Sequence, residues 1–400
     1  MMFDKEICCL LEHALGEKMD NLTVNIHDSN KKGAGYLGNL CFITLKNKQT
    51  NEETHLVLKQ VMSSGGPKSL EFNSTVFHNE MLFYNNIWPF LLNFQHVTTG
   101  NVLNIIPRCY ASCSKKGTEK LILENLSFQS FHVCDKTVPL DKAHLEYIFK
   151  TFGQFHAMSF ACKALNPEKF DELTAPLKNI FDYFLNGTLF FKNSMNRCFK
   201  FIWDHLESNT PETLSSKLRE YSEDGPNLYS RIMNYNGRNQ VLLHGDCWSN
   251  NMMFKTDGHG KVVDMRLIDF QMIRKGTPVF DLSYCFYSSA SKESLRELEF
   301  FLKIYHDSLS QCLKTYNCEA EMMYPFGVLK KEWKEYCKFG FMMGMICWEQ
   351  KLRYEVGIRD LSKIIDGDKS EMQKPRLFDA EKYRNITRDV LDHMYCNDFL

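Results

Sequence analysis

Asp246, Asn251 and Asp269 are the residues of this 400-residue chain whose types and spacing speak most directly of chemistry. They lie in His244-Gly245-Asp246-Cys247-Trp248-Ser249-Asn250-Asn251 and in Ile268-Asp269-Phe270. One carboxylate is followed by an amide five residues on, and by a second carboxylate eighteen residues beyond that. Phosphoryl transfer from ATP needs such a set. One Asp orients the attacking hydroxyl and takes its proton, while an Asn and a second Asp hold Mg2+ on the phosphates. Hard oxygen donors suit this ion, and ATP supplies the rest of its ligands. A lone Asp is more often a helix cap or a turn residue. The order of features argues for more: the apolar run Val241 to Leu243, the His-Gly-Asp loop, Asn251, a hairpin, then Asp269 at its exit.

Other groups complete the set. Gly33, Gly35 and Gly38 form a GxGxxG pattern, which by itself also fits a dinucleotide fingerprint or an ordinary glycine-rich turn. The dinucleotide fingerprint requires a helix directly after the glycines. Leu40 to Leu45 is short, apolar and partly β-branched, so a strand is expected there, and a glycine loop between two strands fits a flap over ATP phosphates. Lys59 ends an apolar strand about twenty residues after the glycines, at the right place to meet the phosphates. Glu80, on the helix that follows, would hold the Lys59 ammonium by an ion pair. Glu124-Asn125-Leu126 turns after a short strand and would offer backbone NH and C=O groups at Glu124 and Leu126 to adenine. His244 reads as a brace of the catalytic loop, His156 as a core histidine, and Asp281 as an acceptor for backbone NH groups of the loop.

The elements that must position these groups follow from periodicity. Apolar spacing predicts a helix over residues 4–20, strands over 40–45, 55–60 and 121–123, and a helix over 74–86. After about residue 127 helical patterns dominate, at 140–164, 175–222, 292–317 and 329–356. Only 252–269 interrupts them, where Asp257-Gly258 between two apolar runs signals a hairpin. The expectation is an α+β chain with a strand-rich N-terminal lobe over residues 1–126 and a helical C-terminal lobe over 127–400. Phe339, Phe341, Met342, Met345 and Trp348 on one late helix would either wall an acceptor pocket or simply pack the core, and core packing is the plainer reading.

Bulk properties exclude several classes. A net charge of -1 removes the electrostatic case for nucleic acid or an anionic membrane. The 15 cysteines are odd in number and show no zinc spacing, so reduced thiols in a cytoplasmic protein are expected. The acidic start Met-Met-Phe-Asp-Lys-Glu does not resemble a signal peptide, and the apolar run Phe339 to Cys347 is far short of a membrane span. Nothing in the sequence points to an obligate protein partner.

At these same residues the chain resembles the ecdysteroid kinase-like family of insects, a branch of the choline kinase and aminoglycoside phosphotransferase group. The likeness rests on His244-Gly-Asp-Cys-Trp-Ser-Asn-Asn-Met-Met-Phe, Ile268-Asp-Phe-Gln, Asp281-Leu-Ser-Tyr and Phe155-His-Ala-Met-Ser159. Lys59 and Glu80 fall where the family's lysine and helix glutamate stand. The resemblance implies a protein-kinase-like bilobal fold with ATP and Mg2+ in the cleft. It also implies O-phosphorylation of a small hydroxylated acceptor, an ecdysteroid or a foreign compound. Two departures touch the hinge: Asn125 replaces the family's Asp, and Gln129-Ser130-Phe131 stands where Gly-Phe is usual. A choline or ethanolamine kinase, with Trp348 and Tyr354 in a cage for a quaternary ammonium, is the alternative enzyme. A catalytically silent nucleotide-binding scaffold is the alternative of another class.

Overall fold

The computed structural model describes residues 5–28, 38–61, 65–182, 189–206, 210–355, 360–374 and 377–400. Gly33 and Gly35 therefore lie outside the described residues, and Gly38 opens the second strand. Strands β1 (Leu22–Asp28), β2 (Gly38–Asn47), β3 (Glu53–Val61), β4 (Cys109–Cys113) and β5 (Lys120–Glu124) form one sheet in the order β1-β2-β3-β5-β4. Every pairing in it is antiparallel. The helix α1 (Lys5–Leu15) covers one face. Its Ile7 and Leu11 join Ile43, Leu45, Leu56 and Leu58 in a small core. Side chains alternate across a strand, so with Leu56 and Leu58 turned toward α1, Lys59 points to the other face.

That other face meets α2 (Pro67–Leu82), which continues through a π-turn at Phe83–Ile87 into α3 (Trp88–Thr99). The apolar residues Phe72, Val76 and Met81 of α2 belong to the large core of the helical lobe. That core is centred on α4 (Lys142–Leu165), a 24-residue helix capped by Asp141, whose carboxylate accepts from the His144 amide at 2.9 Å. Against it pack the helices Leu298–Thr315 and Pro278–Tyr287, and Lys338–Lys351 packs in turn on Pro278–Tyr287.

The sequence reading missed β1 and β4. Leu22, Val24 and Ile26 alternate with polar residues, so β1 carried a period-two signal, but it followed too closely on the helical pattern before it. β4, Cys-Tyr-Ala-Ser-Cys, is half-buried along its length and has no apolar alternation. The expected helix over 4–20 ends at Leu15, and the stretch 175–222 is non-helical at 175–179 and again at 205–206 and 210–211. The hairpin over 252–269 forms from β8 (Met252–Thr256) and β9 (Val262–Leu267), with β6 (Phe131–His132) added on its edge. Its turn is longer than a two-residue Asp-Gly loop. The Asp257 amide donates to the Lys261 carbonyl at 2.9 Å, and Gly260, at φ +78°, takes the left-handed backbone.

Candidate active site

Two short strands frame the 244–251 loop. β7 (Val241–Leu243) leads into it and pairs with β10 (Arg274–Gly276), which follows the Asp269 segment. The chain therefore leaves β7, crosses the 244–251 loop, makes the β8–β9 hairpin and returns beside its starting point. Gly245 has φ +85°, and a Cβ there would lie 2.1 Å from the Met272 carbonyl oxygen. Conformation and space thus both demand glycine between His244 and Asp246.

His244 braces both halves of the site. Its Nδ1 accepts from the Asp246 amide at 3.2 Å, which leaves Nε2 to donate to the Ile268 carbonyl at 2.9 Å. This pattern requires the neutral Nε2–H tautomer. Burial lowers the His244 pKa, in keeping with a neutral ring. Asp281, on the helix Pro278–Tyr287, accepts from the His244 and Gly245 amides at 2.7 and 3.0 Å and faces His156 Nε2 at 3.3 Å. Burial works to raise the Asp281 carboxyl, but its bond with His156 and the neighbouring charges hold it below the usual carboxylate range. It stays an acceptor for the loop. The far nitrogen of His156 meets Tyr305 Oη at 3.1 Å.

Tyr284, one helical turn after Asp281, donates from its hydroxyl to Asp246 Oδ1 at 2.9 Å. Asn251 Nδ2 donates to Asp246 Oδ2 at 2.8 Å and to its carbonyl oxygen at 3.0 Å. Both oxygens of Asp246 are thereby held. Burial first, and the Asp269 charge second, push the Asp246 pKa up to about 6, against the donors from Tyr284 and Asn251. The two bonds from Asn251 use its amide nitrogen, so its carbonyl oxygen remains for another partner.

Lys59, Glu80 and Asp269 meet in one cluster. Lys59 Nζ stands 2.7 Å from Glu80 Oε2 and 2.8 Å from Asp269 Oδ1. Burial alone would lower the Lys59 pKa, but the Asp269 and Glu80 carboxylates outweigh it and raise it. Burial pushes the Glu80 carboxyl upward, and Lys59 works against that shift. Asp269 itself has φ +68°, an uncommon backbone for a non-glycine residue. Gln271 is also buried here. With its amide oriented by the surrounding donors and acceptors, its oxygen lies 3.1 Å from Lys59 Nζ and its nitrogen 3.3 Å from Asp269 Oδ1. Sequence reasoning did not find Gln271 or the contact made by Tyr284. The only available signal was their place within Ile268-Asp-Phe-Gln and Asp281-Leu-Ser-Tyr.

Glu124 and Leu126 stand apart from this cluster. β3 and β5 pair Lys59 with Leu121 and Leu56 with Glu124. Glu124 therefore lies three residues, or about 10 Å, along the strand from the Lys59 level. Its carboxylate accepts from the Arg108 amide at 3.1 Å and from the Gln129 side chain, so that group is structural. The Glu124 and Asn125 amides donate to the Arg108 and His55 carbonyls at 2.8 and 3.0 Å. Leu126 then opens a 3-10 turn capped by Asn125 Oδ1, which accepts from the Ser127 amide at 3.2 Å. An Asp at this position would supply the same acceptor.

Other expected features resolve differently. Phe339, Phe341, Met342, Met345 and Trp348 are at most 1% exposed, so this stripe is core and not a pocket wall. The Trp348 ring already carries the Lys351 ammonium 4.5 Å from its centroid, while Tyr354 is 54% exposed. These two residues form no cage for a quaternary ammonium. No group of three or more His, Cys, Asp or Glu side chains among the described residues is arranged to hold a metal unaided.

A lysine on the third strand, a glutamate on the next helix, and an Asp loop with a second Asp after a hairpin define a two-lobed, protein-kinase-like phosphotransferase. The chain belongs to the ecdysteroid kinase-like family, whose model matches residues 32–318. Among solved structures it is similar to the GDP complex of wild-type aminoglycoside 2'-phosphotransferase-IIIa, at 12% identity over 88% of this chain and 99% of that one, with a TM-score of 0.42. No curated protein matches it.

Proposed function

We propose that the protein transfers the γ-phosphate of ATP to a hydroxyl of a small, apolar acceptor, of ecdysteroid-like or foreign origin. One observation carries the reading: Lys59, Glu80 and Asp269 meet within 2.8 Å contacts, while Asp246 and Asn251 meet at 2.8 Å on the loop that His244 ties to the Asp269 segment. Asp246 orients the acceptor hydroxyl and takes its proton. Lys59, steadied by Glu80, meets the phosphates and gives up Asp269 as the nucleotide enters. The Leu126 amide and nearby carbonyls hold adenine, and the Gly33, Gly35 and Gly38 loop covers the phosphates.

The donor set suits Mg2+. The Asn251 carbonyl oxygen is left over by its amide bonds, and Asp269 Oδ2 is left over by Lys59. These are two hard oxygens, and a site shared with nucleotide phosphates needs few more. Asn251 and Asp269 would hold the ion, which when bound neutralises charge on the phosphates. The free state of all 15 cysteines agrees with a reducing, cytoplasmic setting. No helix among the described residues is long and apolar enough to cross a membrane.

The acceptor class is tested by competition. With Mg-ATP fixed, a polyhydroxylated steroid is expected to be phosphorylated and choline to leave that rate unchanged. Phosphorylation of choline in preference to the steroid would overturn the apolar-acceptor reading. Tyr284→Phe tests how the Asp246 carboxylate is held. Loss of the hydroxyl frees Oδ1, so kcat is expected to fall roughly tenfold through misorientation, with KM for ATP unchanged. Steady-state kinetics with ATP varied separates the two parameters.

A further inference from the structure

The helix that carries Glu80 lacks its own N-terminal cap. α2 starts at Gly66-Pro67, and no side chain of its own accepts from the first amides. Asp366, 300 residues away in the chain, supplies the acceptors. The Gly66 amide donates to Asp366 Oδ2 at 2.5 Å, the Ser69 amide to Oδ1 at 2.9 Å and the Ser69 hydroxyl to Oδ2 at 2.7 Å. A carboxylate is favoured there by the helix dipole as well. Burial works to raise the Asp366 pKa, but the Ser69 and Gly66 donors outweigh it and lower it. The fit is close: a Cβ on Gly66 would lie 2.8 Å from the Asp366 carboxyl carbon.

The other end of α2 is tied as firmly. Asn79 is fully buried beside Glu80. Its Oδ1 accepts from the Lys178 amide at 2.9 Å, and its Nδ2 donates to the Lys178 carbonyl at 2.8 Å. The same nitrogen lies 3.4 Å from the Gln271 carbonyl oxygen, two residues past Asp269. Just beyond the helix, Phe83 stacks on Phe270 with centroids 3.8 Å apart. The apolar face of α2 packs into the helical lobe's core, as described above.

We infer that α2 is mechanically part of the helical lobe, fastened there by Asp366 and Asn79, and that these two residues position Glu80 for Lys59. The sheet bearing Lys59 then moves against a stationary Glu80 and Asp269, and closure of the lobes makes or breaks the Lys59 contacts. Asp366 lies beyond residues 32–318, the span matched by the family model. The consequence for turnover rests on the phosphotransferase reading, but the fastening does not.

Hydrogen exchange of segment 67–82 in the full chain tests the fastening without an assay of activity. Asp366→Ala removes a half-exposed side chain and should fold. Exchange in that segment is expected to rise about fivefold, the effect of one lost cap. Gly66→Ala should do the same by displacing the carboxylate, and the double variant should exceed neither single, because both remove one contact. KM for Mg-ATP is expected to rise about fivefold with kcat within about twofold, since only the hold on Glu80 is loosened. Unchanged exchange in Asp366→Ala, or additive effects in the double variant, overturns the fastening. Raised exchange with unchanged KM overturns the positioning role. Absence of turnover in the wild-type protein would count against the phosphotransferase reading and leave the exchange result to decide the fastening.

Discussion

Asp246→Asn is expected to lower turnover by roughly 10²- to 10⁴-fold, the usual worth of a general base, with ATP affinity nearly unchanged. The substitution keeps the shape of the side chain. Its oxygen can still accept from Tyr284 or Asn251, so the loop that His244 and Asp281 hold should stay in place. What disappears is a group that can take the acceptor's proton. A binding titration with ATP, set beside initial rates, separates these effects. An effect of this size on rate alone would assign Asp246 to the chemical step. A similar loss in ATP affinity would place it instead in nucleotide binding.

Lys59→Met is expected to damage both activity and stability. Turnover should fall roughly 10²- to 10³-fold, the range for removing one preorganised electrostatic donor. The folded protein should lose about 3–5 kcal/mol, because Glu80 is left buried without its cation. Glu80 is fully buried, and Lys59 at 2.7 Å is the charge opposing its upward shift. Without Lys59 the folded-state pKa of Glu80 climbs further above its unfolded value. A carboxyl shifted that way costs nothing below the unfolded pKa of about 4.3, and destabilises progressively as pH rises toward the folded value. Because the Glu80 carboxyl is already pushed up to about 7 in the wild-type protein, the deficit relative to wild type should be small up to about neutrality and grow above it, toward the variant's higher folded value. Chemical denaturation across that range checks the sign. A deficit that shrinks as pH rises would mean that Glu80 is not the group left unpaired.

Much of this site was legible in sequence because it is built from local segments. His244 to Asn251 is a single loop, and the apolar runs around Asp257 announce the hairpin that returns Asp269 to it. The alternation in β3 fixes which way Lys59 points once Leu56 and Leu58 are assigned to the core. What stayed hidden depends on contacts between distant segments. Gln271 and Tyr284 became part of the site only when Lys59 and Asp246 were placed beside them. Asp366 and Asn79 have no periodic signature at all. Periodicity placed α2 over 74–86, so its start at Gly66-Pro67, without a capping side chain of its own, came only from the structure. The aromatic and methionine stripe from Phe339 to Trp348 had the opposite fate, since helical apolar spacing alone does not distinguish a pocket wall from a core. Its burial decides for the core.

The central claim is phosphoryl transfer from ATP to a small hydroxylated acceptor through Asp246. Incubation of the wild-type protein and of Asp246→Asn with Mg-ATP and a metabolite extract, followed by mass spectrometry, tests it most directly. The account predicts products heavier by one phosphate that form with the wild-type protein, depend on ATP, and nearly vanish with Asp246→Asn. ATP binding by the wild-type protein with no phosphorylated product across a broad acceptor panel, or equal product from both proteins, would contradict it.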